Sequence, residues 1–463
     1  MALVGAFMVP HPPLIIHDVG RGEEEQIRPT IDAYTEVARQ IAELEPETII
    51  VSSPHNVMYY DYFNISGGRE ARGSLAGFRA PDAAVDLEYD QELVAEICRT
   101  ADSRKFPAGT LGGRQKELDH ATVIPLLFVN KEYHRPYKIV RVGLSGLPLE
   151  DHYRLGMMIR EAVERLGRRT VYIASGDLSH KLKEYGPYGF DKNGPVYDAR
   201  IMDVMGRGAF GELFDFDETL CEKAAECGHR SFVIMAGALD RTGVSVQKLS
   251  YQDVTGVGYG VCAFHPTGPD KSRNFLDQRE KAEADRLAAI KSGEDPYVKL
   301  ARLSVETYVK TGRAAKVPSG LPDEMYSGRA GVFVSLHEDG RLRGCIGTIS
   351  PVRENIAEEI VMNGISACSQ DPRFDRVTSG ELPRLEYSVD VLGEPEPIDS
   401  KDMLDVKRYG VIVSKGGRRG LLLPDLDGVD TVEEQISIAK RKAGISENES
   451  GVKLERFEVV RHL

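Results

Sequence analysis

The chain has 463 residues, 41% apolar and 28% charged, with a formal net charge of −13. This is the composition of a globular protein, with enough length for two or more domains that each bury a core. The acidic balance argues against a nucleic-acid surface, which needs clustered Lys and Arg against phosphate, and leaves small molecules or proteins as the expected partners.

The apolar run Leu3 to Val9 has no basic segment before it and is interrupted by His11, so it predicts a strand rather than a signal peptide. No apolar run approaches the roughly 20 residues that cross a bilayer, and a cytoplasmic, membrane-free protein is expected. Cys98, Cys221, Cys227, Cys262, Cys345 and Cys368 form no CxxC pair and are expected as reduced thiols.

Ile27, Ile31, Tyr34, Ala38, Ile41 and Leu44 recur at helical spacing, and the β-branched run Thr48 to Val51 follows at once. Further strands are expected at 138–142, 171–174, 244–249 and 259–264, with helices at 153–166 and 229–240. This βαβ rhythm predicts an α/β first domain over 1–266, its mixed or parallel sheet covered by helices on both faces. The charged stretch 267–295 reads as a linker helix. A second, smaller α/β (α+β) domain is expected over 296–463. There strands at 332–336 and 342–349 flank the hairpin signal Asp339-Gly340, a helix follows over 352–368, and strands at 386–392 and 409–413 precede a turn at 415–420.

The chemistry is expected in the first domain. His11, His55 and His180 each stand just past a short apolar strand, where ligands bind on parallel α/β sheets. Pro12 and Pro13 stiffen the first of these loops and Pro54 the second. Taken singly, each histidine also reads as a residue capping a turn. In Gly176-Asp-Leu-Ser-His180, Asp177 is placed to orient an imidazole and His180 to carry a proton, or Asp177 simply caps the next element. His120, after Asp119, stands at a helix start, where its neutral form is favoured. In Glu226-Cys-Gly-His229, Glu226 offers a hard oxygen, Cys227 a soft sulfur and His229 an imidazole. A free cysteine there also reads as a small buried apolar group.

Together, Val9-Pro-His-Pro-Pro13, Ser52-Ser-Pro-His-Asn56, Leu118-Asp-His120, Gly176-Asp-Leu-Ser-His180 and Glu226-Cys-Gly-His229 resemble the class III extradiol dioxygenase family in its subunit-B-like, Memo-related branch. The resemblance implies a non-haem Fe(II) oxidoreductase that opens a catechol-like or enediol molecule with O2. It implies His11, His55 and Glu226 as metal ligands, with Cys227 and His229 as alternatives for the third, and His120 and His180 as acid/base residues. Two other readings are a metal-dependent hydrolase or lyase and a Memo-like iron-binding scaffold.

Leu342-Arg-Gly-Cys-Ile-Gly347 and Asp371-Pro-Arg-Phe374 resemble the AMMECR family. Fusions of the two domain types imply a radical S-adenosylmethionine protein as partner, and a homo-oligomer is expected. Arg343 and Cys345 share one strand face, so the cation is placed to favour the thiolate; a buried structural cysteine is the competing reading.

Overall fold

The computed structural model describes residues 2–112, 117–338, 340–426 and 428–463. The chain divides into two compact units, 1–280 and 281–463. The strands of the first are β1 (Leu3–Val9), β2 (Thr48–Ser53), β3 (Phe63–Asn64), β4 (Glu70–Leu75), β5 (Ala80–Tyr89), β6 (Ala108–Gly109), β7 (Lys138–Gly143), β8 (Thr170–Ser175), β9 (Thr242–Gln252) and β10 (Tyr259–Pro269). Its helices are α1 (His17–Gly20), α2 (Arg28–Leu44), α3 (Gln91–Ser103), α4 (His120–Glu132), α5 (Leu149–Leu166), α6 (Asn193–Arg207), α7 (Glu218–Ala224) and α8 (His229–Ala238).

Eight strands form one sheet in the order β4-β5-β7-β2-β8-β1-β10-β9. The pairs from β5 through to β1 are parallel, while β4, β10 and β9 run antiparallel at the edges. Of the parallel strands, β7, β2, β8 and β1 are buried on both faces, which is why they read as apolar runs rather than alternation. Strand residues divide between two cores. Met8, Ile50, Val142 and Tyr172 point to one, covered by α3, α5, α6 and α8, and Val9, Ile49, Val51 and Ile173 to the other, against α2 and α4. The sheet is therefore mixed and covered on both faces, as the sequence rhythm predicts.

The β4–β5 hairpin, α3 and α6 carry no expectation from the sequence. β4 alternates exposed and buried positions around Glu70, Arg72 and Ser74, so too few apolar residues mark it. β10 continues to Pro269, past the change of character at residue 266, and the charged stretch after it folds as α9 (Phe275–Gly293), within which the two units divide.

The second unit contains α10 (Pro296–Thr311), α11 (Asp323–Ser327), α12 (Ile356–Ser369) and α13 (Val432–Lys442). Its strands are β11 (Val332–Glu338), β12 (Arg341–Gly347), β13 (Leu385–Leu392), β14 (Glu396–Ile398), β15 (Gly410–Lys415), β16 (Arg418–Leu422), β17 (Lys453–Phe457) and β18 (Val459–His462). They form two four-stranded sheets, β12-β11-β13-β18 and β14-β17-β15-β16, whose neighbouring strands pair antiparallel. Glu338 pairs with Arg341 around Gly340, whose φ of +74° suits the glycine of the hairpin signal; its Asp339 lies outside the described residues. α12 begins at Ile356 rather than at Val352, because the Asn355 side chain accepts the Glu358 N–H at 2.9 Å and caps it there. No described helix is long and apolar enough to cross a membrane.

Candidate metal centre

β2, β8 and β1 are neighbours and parallel, so the loops that follow them leave from one edge of the sheet. His11, His55 and His180 stand on these loops. His11 is held from two sides: its backbone N–H donates to Asp177 Oδ1 at 2.7 Å, and its Nδ1 lies 3.0 Å from Ser175 Oγ at the end of β8. That leaves Nε2 free to act, and it lies 3.1 Å from His55 Nε2.

The third imidazole arrives on a helix. Ser53 Oγ, at the end of β2, donates to Asp119 Oδ1 at 2.6 Å, and the same oxygen accepts the Thr122 N–H at 3.1 Å as the N-cap of α4. Asp119 thereby couples strand end to helix start and places His120, the first residue of α4, over His55, with 4.3 Å between ring centroids. One ring nitrogen from each of His11, His55 and His120 falls within 4.8 Å of the others.

Glu226 does not join this group. Its carboxylate turns to the start of α8, where it accepts the His229 N–H at 2.6 Å, and burial raises its pKa to about 7. His229 is also elsewhere: both ring nitrogens are engaged, Nε2 with the Leu213 carbonyl at 3.0 Å and Nδ1 with Tyr197 Oη at 3.3 Å. Cys227 Sγ lies 3.6 Å from His11 Nε2, and burial raises the pKa of the thiol well above its usual range.

His180 stands beside the cluster, close enough for its charge to act on His11. Its Nδ1 lies 2.5 Å from the Ala225 carbonyl, which only an N–H can satisfy, so Nε2 carries the lone pair. Asp177, read as a residue that orients an imidazole or caps the next element, anchors the His11 backbone through Oδ1, and its Oδ2 lies 3.9 Å from His11 Nε2; burial lifts its carboxyl to about 7.

The imidazoles are held in the form that can ligate a metal. Burial is the largest cause lowering the pKa of His11, His55, His120 and His180, with His120 brought to about 4. Neutral imidazoles keep their lone pairs at physiological pH. The 3.1 Å between the two Nε2 atoms also fits one ion, since two nitrogens bonded at about 2.1 Å and at right angles are about 3 Å apart. The donor set thus fits a first-row divalent metal.

The sequence is matched by a family model described as the catalytic LigB subunit of aromatic ring-opening dioxygenase over residues 5–262, and by AMMECR1 over 298–462. The chain belongs to the LigB family. Protein CA_C1420 of Clostridium acetobutylicum is 42% identical over 470 residues, covering 100% of this chain and 99% of that one. A Thermotoga maritima protein is 53% identical over 171 residues, 37% of this chain and 98% of its own length. Among solved structures, the uncharacterized protein PH0010 from Pyrococcus horikoshii is 32% identical, with 36% of this chain and 88% of that chain covered, at a TM-score of 0.34.

In this LigB-family chain the AMMECR1 match contains Cys345, and the second unit changes the reading of that thiol. Arg343 turns to Glu381 and to the Asp375 carbonyl, and the cations whose charge reaches the thiol are Arg373, Lys442 and Arg461. Burial outweighs these charges and raises the Cys345 pKa; Ser335 Oγ donates to the thiol at 3.2 Å.

Proposed function

We propose that the first unit binds Fe(II) through His11, His55 and His120 and acts there on a molecule with two adjacent hydroxyl groups, a catechol or an enediol, in an O2-dependent ring or chain cleavage. The convergence of three neutral imidazoles at the carboxyl edge of a parallel sheet carries this reading; membership of the LigB family supports it. His120 takes the ligand place that Glu226 was expected to fill.

When bound, such an ion supplies a common centre for diol and O2 and a path for electron density between them. The chain's own residues do the rest. Ser175 and Asp177 fix the His11 ring and backbone, and the Ser53–Asp119 bond fixes the start of α4. His180 offers Nε2 to take a hydroxyl proton from the substrate, because Nδ1–H is committed to Ala225.

The all-imidazole set favours one other reading, a hydrolase. Three histidines around zinc, with an open fourth position for water, activate that water in hydrolytic enzymes. Anaerobic purification with metal quantification, followed by Fe(II) or Zn(II) reconstitution and a catechol screen with and without O2, separates the two. Ring-cleavage absorbance that needs both iron and O2 is the expected result. Turnover that needs zinc and ignores O2 would replace the first reading with the second.

A further inference from the structure

The second unit gathers positive charge around Cys345 from three separate segments. In its first sheet Cys345 of β12 stands opposite Ser335 of β11, and Ser335 opposite Ser388 of β13, so the three side chains form a row on one face. Val334 and Leu336 turn the other way, into the core shared with α10 and α12. Arg373 reaches the row from the loop after α12 and donates through Nη2 to the Cys345 carbonyl at 3.1 Å. Arg461, on β18, and Lys442, the last residue of α13, also act on the thiol with their charges, and Lys442 acts on Arg373 as well.

These charges do not cancel. Asp371 answers Arg373, taking its Nε at 3.0 Å and its Nη2 at 2.7 Å, and Asp390 answers Arg461 at 2.8 Å. Lys442 has no ion pair or hydrogen bond among the described residues, and desolvation and the Arg373 charge lower its pKa. Burial raises the pKa of the Cys345 thiol, away from the anionic form. One positive charge is therefore left over, and both Lys442 and Arg373 are exposed, so it faces solvent. Nη1 of Arg373 engages no described group and is free to donate. A guanidinium, an ammonium and a hydroxyl are the donors that suit phosphate and carboxylate oxygens.

We propose that Arg373, Lys442 and the Ser335 hydroxyl bind an oxyanion, the phosphate or carboxylate group of a small molecule, beside the Cys345 thiol. The site belongs to the second unit alone and stands whatever the histidine group of the first unit binds.

The thiol, which is half-buried, serves as the reporter. Iodoacetate, an anionic alkylating agent, and its neutral analogue iodoacetamide are applied separately to the native full chain at constant ionic strength, and labelling of Cys345 is followed by peptide mass. Lys442→Met should lower the iodoacetate-to-iodoacetamide rate ratio about 2- to 5-fold, the scale of one exposed charge pair, whereas Lys442→Arg should keep it. Lys442 is exposed at a helix end, so the variant should fold with an unchanged denaturation midpoint. Inorganic phosphate and acetate are then tested as protectants, and the one that slows iodoacetate at Cys345 in wild type, but not in Lys442→Met, identifies the oxyanion. Equal ratios in wild type and Lys442→Met, no protection by either anion, or a Cys345 that neither reagent labels in the folded chain would each overturn the site.

Discussion

At the residue scale, the site is a matter of which atoms are already committed. His11, His55 and His120 have ring nitrogens left to share, whereas His229 has both engaged and Glu226 is spent on a backbone N–H. His11→Ala and His120→Ala should therefore each weaken metal binding beyond the about 10- to 100-fold that loss of a ligand's supporting hydrogen bond costs. Glu226→Gln should keep the metal and lose about 1 kcal/mol of stability as a weakened helix cap. Metal content after dialysis checks both, and a metal-free Glu226→Gln would restore Glu226 as ligand. In the second unit, Asp371 accepts the Cys345 N–H at 2.9 Å and two bonds from the Arg373 side chain, which hold its carboxyl down at about 2. A carboxyl lowered in the folded state adds stability that is fully present above its unfolded value of about 3.9 and is lost as pH falls toward about 2. Asp371→Asn should cost about 1–3 kcal/mol at pH 7 and flatten that acid limb in denaturation curves of this unit.

At the scale of elements, two glycines decide where a loop lies. A Cβ on Gly176 would fall 2.2 Å from Gly228 Cα, so only glycines let the turn after β8 meet the turn before α8. That approach is closed by the Gly228 N–H to the Asp177 carbonyl at 3.1 Å, and it brings Cys227 beside His11. Gly176→Ala should lower stability by about 1–3 kcal/mol as an overpacked contact. A denaturation midpoint equal to wild type would contradict the close approach. Both glycines lie in motifs that the sequence presents as chemistry, Gly176-Asp-Leu-Ser-His180 and Glu226-Cys-Gly-His229. Of their residues, Gly176, Asp177, Glu226 and Gly228 shape the backbone there, and His180 is the proposed base.

At the scale of the whole molecule, each unit has hydrophobic clusters of its own, and the candidate metal group lies wholly in the first. Two calorimetric transitions are expected, of which only one should rise with added metal, by about 2.7 kcal/mol at a hundred times the dissociation constant. A single transition, or a shift of both, would show the units to be coupled. The sequence alone determined the mixed α/β sheet with helices on both faces, because doubly buried strands need unbroken apolar runs. It also determined the strand-end positions of His11, His55 and His180, because a loop begins where such a run stops. It did not reveal β4, α3 or α6, whose polar faces dilute the pattern. The third imidazole was likewise left to tertiary structure. Whether His120 or Glu226 reaches His11 and His55 depends on the Ser53–Asp119 bond that seats α4 and on the turn of the Glu226 carboxylate toward α8. The first joins segments far apart in the chain, the second is a choice of side-chain direction made by the packing around it, and no local pattern encodes either.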